Sequence, residues 1–92
     1  MNPFAPELLG SLAQTHGTPL WVYDAATIRA RIAELSAFDT IRFAQKANSN
    51  IHLLRLMREQ GVLVDAVSLG EIERALAAGY RTRGDGPSPI VF

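Results

Sequence analysis

From residue 41 onward, short apolar runs alternate with segments whose apolar residues recur three and four positions apart. Ile41 to Ala44, Leu63 to Val67 and Ile90-Val91-Phe92 are the short runs. Between them, Ile51 to Gln60 carries Ile51, Leu54 and Met57 on one face, and Ile72 to Ala78 continues from Ser68-Leu69-Gly70-Glu71. Short apolar runs read as strands and the longer period as helices. The order strand, helix, strand, helix, strand is that of parallel βαβ units. Mainly apolar strands further suggest a sheet covered on both faces. The punctuation agrees. Gly61 and Gly79 stand where the helices should end, Ser68 and Glu71 have capping-box spacing, and the Gly- and Pro-rich stretch Arg81 to Pro89 reads as a loop. Two such units do not close a core, and an apolar last strand leaves an unpaired edge. The chain is therefore expected to be a piece of a larger α/β protein.

The first forty residues are organised differently. Pro6 to Thr15 reads as a short helix with Pro6 at its first position and Leu8, Leu9, Leu12 and Ala13 on one face. His16-Gly17-Thr18-Pro19 breaks it. Leu20-Trp21-Val22-Tyr23 is β-prone, and Asp24 is a good N-cap for a helix over Ala25 to Ser36 with Ile28, Ile32 and Leu35 on one stripe. The expected division is 1–36 as an N-terminal segment and 37–92 as the start of the α/β domain.

Charge and composition exclude several function classes. Basic and acidic side chains balance at nine each, so nothing points to nucleic acid, an anionic membrane or a polyacidic partner. The absence of cysteine excludes disulfides and thiolate metal sites. Neither a secretory signal nor a membrane-spanning run is read, and a cytoplasmic location is expected. No metal-ligand spacing occurs. His16 and His52, lacking partner motifs, read as surface or capping residues, and Trp21 and Tyr23 as packing residues. Among the basic residues one stands apart: Lys46 is the only lysine beside eight arginines.

Sites in parallel α/β folds form where strands end and helices begin. Two such junctions are polar here, Lys46-Ala47-Asn48-Ser49-Asn50 and Asp65-Ala66-Val67-Ser68. If their strands are neighbours, Lys46 and Asp65 emerge at the same end of the sheet. A lysine there, partly desolvated, is a usable nucleophile toward a carbonyl and forms a Schiff base. A neighbouring carboxylate would orient the amine or the imine. The other reading of the same pattern is a lysine that points to solvent.

Three stretches carry a resemblance. Phe43-Ala44-Gln45-Lys46-Ala47-Asn48-Ser49-Asn50, Val64-Asp65-Ala66-Val67-Ser68-Leu69-Gly70-Glu71 and Arg74-Ala75-Leu76-Ala77-Ala78-Gly79-Tyr80 closely resemble the diaminopimelate decarboxylase family. Gly17 to Asp24 is similar to that family's opening segment. These enzymes belong with the ornithine and arginine decarboxylases, and more distantly alanine racemase, to the barrel class of pyridoxal-phosphate enzymes. The resemblance implies an α/β fold, the first units of a parallel (β/α)8 barrel, with the strand near Leu20 to Tyr23 joining a second, β-rich domain. It implies pyridoxal 5'-phosphate held as a Schiff base on Lys46, Asp65 close to the cofactor ring and that lysine, and Asn48 and Ser68 near the site as further cofactor-binding residues. Glu71 lies in the motif and equally reads as a helix cap with Ser68. The implied reaction turns meso-diaminopimelate into L-lysine and carbon dioxide, the cofactor supplying the electron sink. A small-molecule amino-acid substrate and a homodimer are implied as well.

The chain departs from the family pattern at Gln45, where a small apolar residue is common, and at Leu69, where glycine is. Both were expected to tune packing only. The phosphate-binding loop, the carboxylate that partners the pyridine nitrogen and the substrate-reading residues are expected beyond residue 92. Two other functions compete: decarboxylation of a related amino acid such as ornithine or arginine, and non-catalytic pyridoxal-phosphate homeostasis.

Overall fold

The computed structural model describes residues 2–92. Its elements are α1 (Pro6–His16), α2 (Ala25–Ala33), β1 (Arg42–Ala44), a 3-10 turn (Gln45–Ala47), α3 (Ile51–Glu59), β2 (Leu63–Asp65), α4 (Leu69–Ala77) and β3 (Ile90–Val91). The three strands form one parallel sheet in the order β1-β2-β3. The βαβαβ order expected from residue 41 onward is thus present.

Register decides which residues meet. Phe43 pairs with Val64 and Val64 with Ile90, so these three form one row across the sheet. The next row is Ala44, Asp65 and Val91. Side chains alternate along a strand, so the two rows face opposite ways. The first row faces the helices. Leu54 of α3, Val64, Ala75 of α4, Ala78 and Tyr80 form the buried core, with Phe43, Ile51 and Ile90 packed against it. Leu54, Val64 and Ala75 have no exposed surface, and each buried side chain of leucine or valine size contributes about 1.5–3 kcal/mol. The second row is uncovered: Ala44 and Asp65 are exposed. The sheet is therefore covered on one face in this chain, where the apolar strands had suggested two. The extents of 44 × 31 × 17 Å leave room in the thin direction for one sheet and one helix layer.

The ends of the elements follow local chemistry. Asp24 caps α2 as expected, its carboxylate accepting from the backbone N–H and hydroxyl of Thr27. Those two bonds hold the Asp24 carboxyl below its ordinary pKa. The regular part of α2 stops at Ala33 rather than Ser36, because Leu35, Ser36 and Phe38 donate to carbonyls three residues back and the chain tightens. Asn50 caps α3, accepting from His52 and Leu53. Gly61, just past α3, and Gly79, just past α4, both have positive φ. At Gly79 a side chain is excluded twice over: φ is +102°, and a Cβ would lie 2.8 Å from Nε of Arg58. That guanidinium donates to the Ala78 carbonyl at the end of α4, tying α3 to α4.

Two expectations are corrected. Leu20 to Tyr23 is not a strand; a β-prone run becomes one only by pairing, and no described segment pairs with it. Trp21 and Tyr23 are not packed either, being 87% and 49% exposed. Similarly, α1 and α2 bury no residue. Among the described residues, no helix is long and apolar enough to cross a membrane.

Tyr80 ties the core to the start of β2. Its ring is buried and its hydroxyl donates to the carbonyl of Val62. Burial pushes its pKa up to about 12, against a smaller opposing pull from Arg58. An unfolded tyrosine ionises near pH 10. The folded form thus holds this proton more tightly, and stability falls as the pH rises from about 10 to about 12. Tyr80→Phe should cost about 1 kcal/mol at neutral pH, read from the denaturation midpoint. The variant should also lose the alkaline slope. A wild-type slope retained in the variant would assign it to another group.

Candidate functional site

The site is built at the carboxyl end of the sheet. Ala44 ends β1 and lies opposite Asp65, the last residue of β2. The chain then leaves β1 through the 3-10 turn, and Lys46 sits at its centre. Lys46 therefore stands two residues past the register partner of Asp65, and both side chains are exposed. The expected meeting of the two motifs at one end of the sheet holds. Lys46 is exposed in this chain, and the desolvation expected of it depends on what would cover the second face of the sheet, which none of the described residues does. Arg31 with Glu34 is the one salt bridge among the described residues, so Lys46 and Asp65 are not an ion pair.

The residues flanking this pair are fixed by local hydrogen bonds. Asn48 Oδ1 accepts from the N–H of Asn50, and its Nδ2 donates to the Tyr23 hydroxyl at 2.9 Å. This second bond links the segment before α2 to the lysine turn. Ser68 caps α4: its Oγ accepts from the Glu71 N–H at 3.1 Å and lies 3.2 Å from the Glu71 carboxylate. Glu71 also accepts from the N–H of Val67 at 3.4 Å, one residue earlier than in the usual capping box. This use of Val67 turns the chain out of the sheet, so β2 ends at Asp65 rather than Val67. The helix-cap reading of Ser68 and Glu71 is the one that the geometry displays.

One residue of the site region was underestimated in the sequence. Gln45, expected to tune packing, is completely buried and is the one buried polar residue of the described core. Its Nε2 donates to the backbone carbonyl of Glu71 at 2.6 Å and lies 3.4 Å from the Ser49 hydroxyl. Its own carbonyl accepts from the N–H of Asn48 and the hydroxyl of Ser49. Its Oε1 has no hydrogen-bond partner. An amide hydrogen bond contributes about 1 kcal/mol net, whereas an unsatisfied buried acceptor costs about 1–3 kcal/mol. The unpartnered Oε1 thus offsets part of what the Nε2 bond contributes. A signal was available: a glutamine occupied a position beside the lysine where the family commonly has a small apolar residue.

Chemically, the arrangement offers a primary amine and a carboxylate at the open end of a parallel sheet, with the small Ala44 between their strands. That set suits a carbonyl compound able to condense with the amine. Among the described residues, no cluster of His, Cys, Asp and Glu could hold a metal.

Comparison with known proteins extends this picture. The diaminopimelate decarboxylase of Streptomyces coelicolor is 71% identical over 84 residues, covering 91% of this chain and 19% of that protein. The diaminopimelate decarboxylase of Escherichia coli K12 is 65% identical over 86 residues, covering 94% of this chain and 20% of that protein. A crystal structure of diaminopimelate decarboxylase superposes with a TM-score of 0.88 at 65% identity, again over 94% of this chain and 20% of the other. The chain thus spans about a fifth of the length of the relatives it matches. The sequence profile of the family described as "Pyridoxal-dependent decarboxylase, pyridoxal binding domain" matches residues 25–92. The chain therefore belongs to the pyridoxal-dependent decarboxylases, and residues 25–92 are part of their pyridoxal-binding domain.

Proposed function

We propose that this chain carries the cofactor anchor of a diaminopimelate decarboxylase, with Lys46 as the residue that holds pyridoxal 5'-phosphate. The full-length protein would release carbon dioxide from meso-2,6-diaminopimelate to give L-lysine. The observation that carries the reading is the register that sets an exposed Lys46, free of any ion pair, two residues past the partner of Asp65. The donor set fits the cofactor: a free amine for its aldehyde, and a carboxylate at the same sheet end that would orient the amine or the imine. When bound, the cofactor withdraws the electrons left behind as the carboxylate departs.

The chain's own residues have separable tasks. Lys46 would hold the cofactor through its amine. Asp65 lies beside that linkage and orients it by charge. Asn48 and Ser68 border the site; Asn48 fixes the turn after Lys46, and Ser68 acts through the cap of α4. The division into a leading segment, 1–36, and the start of the barrel, 37–92, belongs to the same proposal. So do a homodimeric assembly and a cytoplasmic location. The named relatives are diaminopimelate decarboxylases, which favours this substrate over ornithine or arginine.

Borohydride reduction of the full-length protein should fix pyridoxal phosphate on the peptide containing Lys46, read by mass spectrometry. Label found only on another lysine would reject the anchor. The 92-residue chain alone, a fifth of its relatives' length, should show no decarboxylation; turnover by the purified fragment would overturn this account. Ser68→Ala should lower stability by about 1 kcal/mol, and Ser68→Asp should restore it. Both variants should keep the cofactor at temperatures where they are folded. Loss of cofactor from both would instead make Ser68 a direct ligand.

A further inference from the structure

The lysine turn and the helix after Asp65 come from different βα units, and one buried side chain joins them. Gln45 immediately precedes Lys46 and has no exposed surface. Its Nε2 reaches across to the carbonyl of Glu71 in the first turn of α4, at 2.6 Å. Its backbone carbonyl holds the other end of the lysine turn, accepting from the Asn48 N–H and the Ser49 hydroxyl, each at 3.0 Å. Residues on both sides of Lys46 are thus secured to one glutamine. Arg74 adds a longer bridge from α4 to the Ser49 carbonyl, at 3.4 Å.

The unpartnered Oε1 shows what the side chain is not doing. An apolar residue of equal length would fill the same space without a buried acceptor left over. What it would not supply is a donor toward α4. The donor is what ties the lysine turn to α4.

We propose that Gln45 is a positioning residue: its buried amide locks the Lys46 turn to α4, so that the lysine amine and Asp65 address one cofactor in a fixed relation. This rests on the assignment of Lys46 as the cofactor anchor. The Gln45 side chain is buried against the Glu71 carbonyl, and it acts through the backbone beside Lys46.

The test uses the full-length holoenzyme and Gln45→Met, which keeps length and volume but removes the donor. The melting temperature should stay within a few degrees of wild type. The Asn48 amide should exchange with solvent roughly 10-fold faster as the turn opens more often. Lys46 should still be trapped by borohydride at saturating cofactor, while kcat falls about 10-fold with little change in KM, as expected for a misplaced reacting group. Unchanged exchange with unchanged kcat would overturn the proposal. Faster exchange with full kcat would reduce Gln45 to a structural residue, and slower turnover without faster exchange would exclude the lock. Failure of borohydride to trap cofactor on Lys46 in wild type would sink the anchor assignment, while the exchange data would still report on the lock itself. Should the methionine variant not fold, Gln45→Leu repeats the comparison. The wild type alone also decides: side-chain amide protons of Gln45 exchanging as fast as those of an exposed glutamine would reject the proposal, and slow exchange would support it.

Discussion

A slip of one residue between β1 and β2 would remove the core and the site together. Because side chains alternate along a strand, the slip would turn Val64 outward and aim Asp65 at Leu54, Ala75 and Tyr80. The first change forfeits a fully buried valine, about 1.5–3 kcal/mol. The second buries an unpaired carboxylate among apolar groups, an effective penalty of several kcal/mol. The pairing that buries Phe43, Val64 and Ile90 is therefore strongly favoured, and it is the same pairing that sets Asp65 opposite Ala44. The polar end of the sheet is placed by apolar packing on the opposite face.

Helix α4 links that packing to the site. Its inner face supplies Ala75, completely buried against the sheet. Its carboxyl end is held by Arg58 through the carbonyl of Ala78 and packs over Gly79, where no side chain fits. Its amino end is held by the Ser68 and Glu71 cap and receives Gln45 through the Glu71 carbonyl. One helix thus joins the core, the strand that carries Asp65 and the turn that carries Lys46. A disturbance at the cap reaches the lysine through backbone and one buried amide, without any contact between Ser68 and Lys46 being required.

How much of this was legible in the sequence follows from the range of each interaction. Asp24, Ser68 and Glu71 act on backbone groups a few residues away, so their caps could be read from spacing alone. Gly61 and Gly79 mark helix ends for an equally local reason, their positive φ. The meeting of Lys46 and Asp65 was legible conditionally, because parallel neighbours bring strand ends together. The bond from Gln45 to Glu71 spans 26 positions and that from Asn48 to Tyr23 spans 25. No periodicity encodes such a pair. Leu20 to Tyr23 failed as a strand for a related reason: propensity belongs to the segment, but a strand requires a partner. The desolvation expected at Lys46 depends on what covers the second face of the sheet, and none of the described residues does.

The open face also bears on the chemistry. The geometry brings the strands of Lys46 and Asp65 together, yet the two do not pair: the one ion pair among the described residues is between Arg31 and Glu34, both exposed. An ammonium tied to a carboxylate must break that contact before its nitrogen can attack an aldehyde. Lys46, reaching from a turn rather than from the strand itself, avoids that competition while Asp65 remains at the same end of the sheet. The turn that separates them is the one secured by Gln45. A strand that simply continued past Ala44 would set residue 46 opposite Val67, on the same face as Ala44 and Asp65, whereas the 3-10 turn displaces it.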